Sequence, residues 1–127
     1  KLVIDIAGDG SIQMNIQEMA TATQYHLPVK IVILNNGFLG MVRQWQELFY
    51  EGRYACTELN GAPDFVKLAD AYGAVGLRAR KPEEVGTVLE QGLSINGPVM
   101  MDFVVEREEC VYPMVPSGAP ITEMLLV

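Results

Sequence analysis

Val29-Lys30-Ile31-Val32-Ile33-Leu34-Asn35-Asn36-Gly37, read after Leu2-Val3-Ile4-Asp5-Ile6-Ala7-Gly8-Asp9-Gly10, decides the fold. Each stretch is a short β-branched apolar run that stops at turn residues, the pattern of a strand buried on both faces. Between them Met14, Ile16, Met19, Ala20, Ala22 and Thr23 recur every three to four residues, with Gln17, Glu18 and Gln24 interleaved. That spacing predicts a helix over about 14–25, opened near Ser11 and limited by Pro28, with Glu18 on its solvated face and His26 as a capping residue at its end. Strand, helix, strand makes a parallel crossover unit.

The rest of the chain repeats the alternation. A helix is expected over 41–50, and Pro63 suits the first turn of another whose apolar face is Phe65, Leu68, Ala69 and Tyr72, ended by Gly73. A strand follows over 74–79, then a helix from Pro82 to about Leu93 with Glu83 and Glu84 where the dipole favours them, then a strand over 99–105. The predicted class is α/β: three layers, a mainly parallel sheet flanked by helices. Residues 1–106 read as the domain, and 107–127, with Pro113, Pro116 and Pro120, as an arm. Lys1 runs straight into the first strand with no cap or turn before it, so the domain is expected to be partial, its start lying in a longer protein.

Half of the 127 residues are hydrophobic, enough for one core, and 9 Lys+Arg against 16 Asp+Glu leave a net charge of -7. A nucleic-acid partner is not expected, because the cationic surface that neutralises phosphates is missing. No apolar run reaches the roughly 20 residues of a membrane span, and no signal-peptide pattern opens the chain, so a membrane is not expected and the cytoplasm is the default compartment. Cys56 and Cys110 lack CxxC spacing and read as free thiols.

In an open α/β sheet the ligand binds beyond the carboxyl ends of the strands, and here neighbouring ends carry Gly8-Asp9-Gly10-Ser11 and Asn35-Asn36-Gly37. Gly8 and Gly10 let backbone approach a ligand closely, while Gly10 and Ser11 offer N–H groups to an anion. Asp9 would set a carboxylate beside that anion, which calls for a bridging cation. Mg²⁺ suits a carboxylate, the Asn36 amide oxygen and a backbone carbonyl just beyond it, that of Phe38 being the favoured candidate. The combination reads as a Mg²⁺-diphosphate clamp, although each segment alone is also an ordinary turn. No GxGxxG or GxxxxGK[ST] occurs.

Gly8-Asp9-Gly10 followed by Asn35-Asn36, with 27 positions from Asp9 to Asn36, resembles the thiamine diphosphate motif. Asn35-Asn36-Gly37-Phe38-Leu39-Gly40-Met41-Val42-Arg43-Gln44-Trp45-Gln46, with Leu48-Phe49-Tyr50, Pro63-Asp64-Phe65 and Pro113-Met114-Val115-Pro116-Ser117-Gly118, is similar to the catalytic subunit of acetohydroxyacid synthase, also called acetolactate synthase. The likeness covers nearly the whole chain. It implies that Asp9, Asn36 and the Phe38 carbonyl hold Mg²⁺, that Gly10 and Ser11 hold the diphosphate by backbone or hydroxyl contacts, and that Gly8 belongs to the cofactor-binding residues. It further implies that Gly40, Met41 and Val42 lie along thiamine diphosphate and that Gln44 and Trp45 belong to the substrate pocket. Without it, Met41, Val42 and Trp45 at helical spacing would read as core. Relatives often carry a polar side chain where this chain has Phe38.

The activity the resemblance implies is condensation of two 2-keto acids with loss of CO2, giving 2-acetolactate from pyruvate alone or 2-aceto-2-hydroxybutyrate with 2-ketobutyrate, in branched-chain amino acid biosynthesis. It implies a homo-oligomeric parent, with a possible regulatory subunit, FAD in the full-length protein only, and a plastid or mitochondrial address in a eukaryote. The activating glutamate lies outside these residues, so no catalytic residue is expected in this chain and the chain alone is expected to be inert. Competing readings are another thiamine enzyme, such as a catabolic acetolactate synthase, glyoxylate carboligase or pyruvate oxidase, and a non-catalytic interaction module. The carboxylates Glu83, Glu84, Glu106, Glu108 and Glu109 are expected to be solvated and away from the site.

Overall fold

The computed structural model describes residues 1–126. Strands β1 (Val3–Gly8), β2 (Val29–Asn35), β3 (Val75–Ala79) and β4 (Val99–Val104) form one all-parallel sheet in the order β1-β2-β4-β3. Helices α1 (Asp9–Ile12) and α2 (Met19–Gln24) connect β1 to β2, α3 (Gly40–Phe49) and α4 (Phe65–Ala71) connect β2 to β3, and α5 (Pro82–Ser94) connects β3 to β4. The strand period of two divides the sheet's side chains between two cores. Ile31, Ile33 and Met100 meet Ile12, Met19, Phe65 and Ala69 from the α1, α2 and α4 layer. Val99, Met101 and Phe103, with Val32, meet Val85, Val88 and Leu89 of α5. The expected three-layer α/β arrangement therefore forms. Among the described residues no helix is long and apolar enough to cross a membrane.

Local chemistry fixes the element ends. Pro82 opens α5, and Glu84 Oε2 accepts the backbone N–H of Arg80 and Lys81 at 2.7 and 3.2 Å, which holds its carboxyl below the usual range. At the other end of α5 Lys30, 1% exposed, donates from Nζ to the carbonyls of Ile95 and Gly97 at 2.5 and 2.8 Å. A cation thus satisfies carbonyls at a helix C-terminus, although burial pushes the amine's pKa down. α2 ends in a Schellman motif: Leu27 N–H donates to Ala22 O, His26 N–H donates to Thr23 O, and His26 takes φ 50°. The capping role expected of His26 is the one it has.

Gly76 marks a close approach of helix backbone to the sheet. A Cβ there would lie 2.6 Å from Val66 O and 2.7 Å from Val66 Cα, both backbone atoms of α4. Gly76→Ala is expected to destabilise the chain by about 1–3 kcal/mol through overpacking, read as a lower urea midpoint with an unchanged m-value.

Four expectations are corrected. The first strand is not buried: Val3, Ile4 and Ile6 are 57%, 48% and 69% exposed, because β1 is the sheet edge and α5 lies chiefly over β3 and β4. Asp9 and Gly10 are not a turn but the start of α1. The helix over 14–25 is broken into a 3-10 turn (Ile16–Glu18) and α2, with the separate α1 before it. Its sequence competes with its own ladder, since the Gln13 side chain bonds Asp9 O and Thr23 Oγ1 bonds Met19 O. Pro63 precedes α4 rather than opening it, and Asp64 is the cap, its Oδ1 accepting Val66 and Lys67 N–H. Beyond Val104 the described chain adds no strand to the sheet; Met114 and Leu125 pair antiparallel, and Ile121–Glu123 makes a 3-10 turn. Val127, the last residue of the expected arm, lies outside the described residues.

Candidate functional site

β1 and β2 run parallel in register, Gly8 beside Leu34, so their carboxyl ends deliver Asp9 and Asn36 to the same edge of the sheet. Gly37 takes φ 72°, a conformation glycine adopts without strain, and turns its N–H onto Asp9 Oδ2 at 3.0 Å. Asp9 is 1% exposed. Burial raises its carboxyl pKa and the charge of Asp102 adds to this, while the N–H of Gly37 works against both. Asn36 Oδ1 accepts the Phe38 N–H at 3.1 Å, so the amide oxygen is held over the start of the next segment and retains a lone pair.

These ends open into a cleft of about 520 Å³. Its walls include Gly8, Asp9, Gly10 and Ser11 from the first strand end, Asn36 and Phe38 from the second, and Gly40, Met41, Val42 and Gln44 from α3. The structure therefore brings together every expected site residue except Trp45. Trp45 borders a neighbouring hollow of about 220 Å³ with Phe49, Tyr50, Met114, Val115, Pro116 and Ser117. Met41, Val42 and Trp45 are 45%, 50% and 48% exposed, which removes the reading that they are core.

Two details refine the expected contacts. Ser11 Oγ accepts Gly8 N–H at 2.9 Å and donates to Gly8 O at 3.1 Å, so its hydroxyl hydrogen is already engaged and backbone N–H groups are what remains for an anion. Gly10 packs closely against two leucines: a Cβ would lie 2.7 Å from Leu39 Cδ2 and 3.3 Å from Leu59 Cδ1, side-chain ends that would have to shift. Without a side chain, Gly10 lines the cleft with backbone alone.

Glu106, Glu109 and Val111 also line the cleft, which corrects the expectation that those glutamates lie away from the site. Glu108 pairs with Arg43 instead, at 3.4 Å. The sequence does not signal this, because the return of the chain after β4 across the strand ends is a tertiary fact. Arg43 was also missed. Only 7% exposed, it lies between the Phe38 and Tyr54 rings, 5.4 and 4.9 Å from their centroids, and bonds Glu47 at 2.8 Å. Behind the cleft Asp102, fully buried, accepts from Asn35 Nδ2 at 3.1 Å and from Arg78 at 2.8 Å, and Arg78 continues to Asp64 at 2.7 Å. This chain of charges anchors the strand end that carries the asparagine pair.

Among the described residues no three His, Cys, Asp or Glu side chains converge as a metal centre. The oxygens at hand are one carboxylate, one amide and backbone carbonyls, a hard set of the kind Mg²⁺ accepts when phosphate oxygens and water complete an octahedron. The donor chemistry and the side-chain-free backbone at Gly10 fit a metal-bridged diphosphate.

A cleft of this size beyond neighbouring parallel strand ends defines a cofactor- or ligand-binding α/β domain. Residues 1–103 match the family model of the thiamine pyrophosphate enzyme, C-terminal TPP binding domain. The chain belongs to that family. It is 52% identical over 125 residues to the acetolactate synthase large subunit of Haemophilus influenzae, covering 98% of this chain and 22% of that protein. It is 48% identical over 127 residues to the acetolactate synthase isozyme 3 large subunit of Escherichia coli, covering 98% and 22%. With the mitochondrial acetolactate synthase of Schizosaccharomyces pombe it shares 49% over 125 residues, covering 98% and 18%. Among solved structures, the thiamine diphosphate-dependent 4-hydroxybenzoylformate decarboxylase of Rhodococcus jostii RHA1 superposes with a TM-score of 0.77 at 32% identity, over 86% of this chain and 20% of that one. The chain thus spans about a fifth of the length of the curated relatives it matches.

Proposed function

We propose that this chain is the cofactor domain of an acetolactate synthase catalytic subunit, residues 1–106 forming the domain and the residues after them an arm over its strand ends. The observation that carries the reading is the single cleft that joins Asp9 and Gly10, the Asn36 turn and the Gly40-Met41-Val42 start of α3. The relatives' names and their identity across 98% of the chain support it. In this reading Asp9, Asn36 and the Phe38 carbonyl hold Mg²⁺, Gly8 lets the backbone approach the cofactor, and the backbone N–H groups of Gly10 and Ser11 receive the diphosphate. Gly40, Met41 and Val42 flank the cofactor, and Gln44 and Trp45 stand on the substrate side. When bound, thiamine diphosphate supplies the electron sink that decarboxylation of a 2-keto acid requires. The apolar wall of Met41 and Val42 keeps water from that region, and the arm after β4 closes it.

The whole-protein properties are part of the same proposal: condensation of pyruvate with pyruvate or 2-ketobutyrate, FAD and an activating glutamate supplied by other domains, a homo-oligomer with a regulatory subunit, and a cytoplasmic or organellar location. The test is calorimetric binding of thiamine diphosphate to the chain with Mg²⁺ and with EDTA, alongside product analysis of the longer protein fed pyruvate. Mg²⁺-dependent binding together with 2-acetolactate is the expected result. Binding with free acetaldehyde as the product would reassign the chain to a simple decarboxylase, and absence of binding to both chain and longer protein would sink the cofactor site.

A further inference from the structure

The deeply buried side chains of α3 are a polar pair, Arg43 and Gln44, 7% and 2% exposed, while apolar residues on either side of them stay half exposed. A buried amide is costly unless both its donor and its acceptor are used. Gln44 uses both on one distant residue: Nε2 donates to Val111 O at 3.0 Å, and Oε1 accepts Val111 N–H at 2.8 Å. The side chain thereby makes the two-bond exchange of a hydrogen-bonded antiparallel pair. Nε2 also approaches Met114 Sδ at 3.6 Å.

The segment fastened this way forms a wall of two spaces. Glu109 and Val111 line the cofactor cleft, and Met114 to Ser117 line the hollow beside Trp45. We propose that Gln44 is a positioning residue that clamps the arm at Val111 and so sets the wall between the cofactor cleft and the Trp45 hollow. Both ends of its amide are engaged by Val111. The clamp stands on geometry alone, and only the description of that wall as the substrate side rests on the proposed function.

Hydrogen exchange and fluorescence test it on the whole chain, since Trp45 is its one tryptophan. Gln44→Leu is expected to speed exchange of the Val111 amide at least tenfold and to shift Trp45 emission to the red, with the amides of β2 and β4 still protected. Unchanged Val111 exchange and unchanged emission in a folded Gln44→Leu chain would overturn the proposal. Should that variant lose protection in β2 and β4, the unchanged chain decides: by NMR the Gln44 side-chain amide protons are expected to exchange at least tenfold more slowly than those of a free glutamine, and equal rates overturn the clamp. No readout uses the cofactor, so the clamp can fail while the thiamine assignment stands, and the reverse.

Discussion

Asp9→Ala is expected to lower the Mg²⁺-dependent affinity of the chain for thiamine diphosphate at least about 100-fold, equivalent to about 2.7 kcal/mol. The carboxylate is the only anionic oxygen in the proposed donor set, and its loss leaves a divalent cation on neutral amide and carbonyl groups beside a diphosphate. The alanine also removes the acceptor of the Gly37 N–H, a 3.0 Å bond that fixes the second strand end. Asp9→Asn separates the two effects, because its amide oxygen still accepts from Gly37 while the charge is gone. Calorimetry should therefore show binding lost in both variants, with thermal stability kept in Asp9→Asn and lowered in Asp9→Ala. Retention of wild-type affinity in Asp9→Asn would remove Asp9 from the metal site. Acid should mimic the substitution. Burial raises the Asp9 pKa, so the proton competes with the cation across a window that begins above the usual carboxylate value of about 3.9. Without a cation, Asp9 contributes stability below that usual value and loses it as pH rises through its raised folded value. Mg²⁺ should accordingly raise the melting temperature more at neutral than at acid pH.

How much of this was legible in the sequence follows from what each signal reports. The alternation of strands and helices was readable because β-branched runs ending at Gly8 and Gly37 and the Phe65-Leu68-Ala69-Tyr72 stripe are local patterns. The Asp9–Asn36 pairing was readable because two parallel strands of similar length place their ends side by side. Exposure of β1 was not, since an apolar run looks the same whether or not a helix covers it. Nor was the inversion of α3, in which Arg43 and Gln44 are buried and Met41, Val42 and Trp45 face open space. Periodicity assigns the apolar stripe to the core, and here the partner of the helix is an arm 67 residues later that is recognised by hydrogen bonds. Two further residues did carry a usable signal: Lys30 between Val29 and Ile31, and Asp102 between Met101 and Phe103, are charges inside buried strands. Such positions announce a partner, although not which one.

The partner of Asp102 carries the second large effect. Arg78→Met is expected to destabilise the chain by about 3–5 kcal/mol, because it strands a fully buried carboxylate whose remaining listener is the neutral Asn35 amide. The Asp64 half of the arrangement contributes little of this: that carboxylate is exposed to solvent, and Arg78 merely lowers its pKa while Val66 and Lys67 keep it as the α4 cap. Urea denaturation measures the loss, and a change below about 1 kcal/mol would show that Asp102 takes up a proton or water at small cost. Arg78→Met with Asp102→Leu should recover most of the stability, since replacing a whole buried pair by apolar groups is often near neutral. That double variant also exposes what the pair does for the site. It restores packing but leaves Asn35 Nδ2 without its acceptor, at the residue before Asn36, and it removes the negative charge that helps raise the Asp9 pKa. A chain that regains stability yet binds thiamine diphosphate more weakly would assign the Asp102 carboxylate to the orientation of the asparagine turn, and one that regains both would confine it to the core.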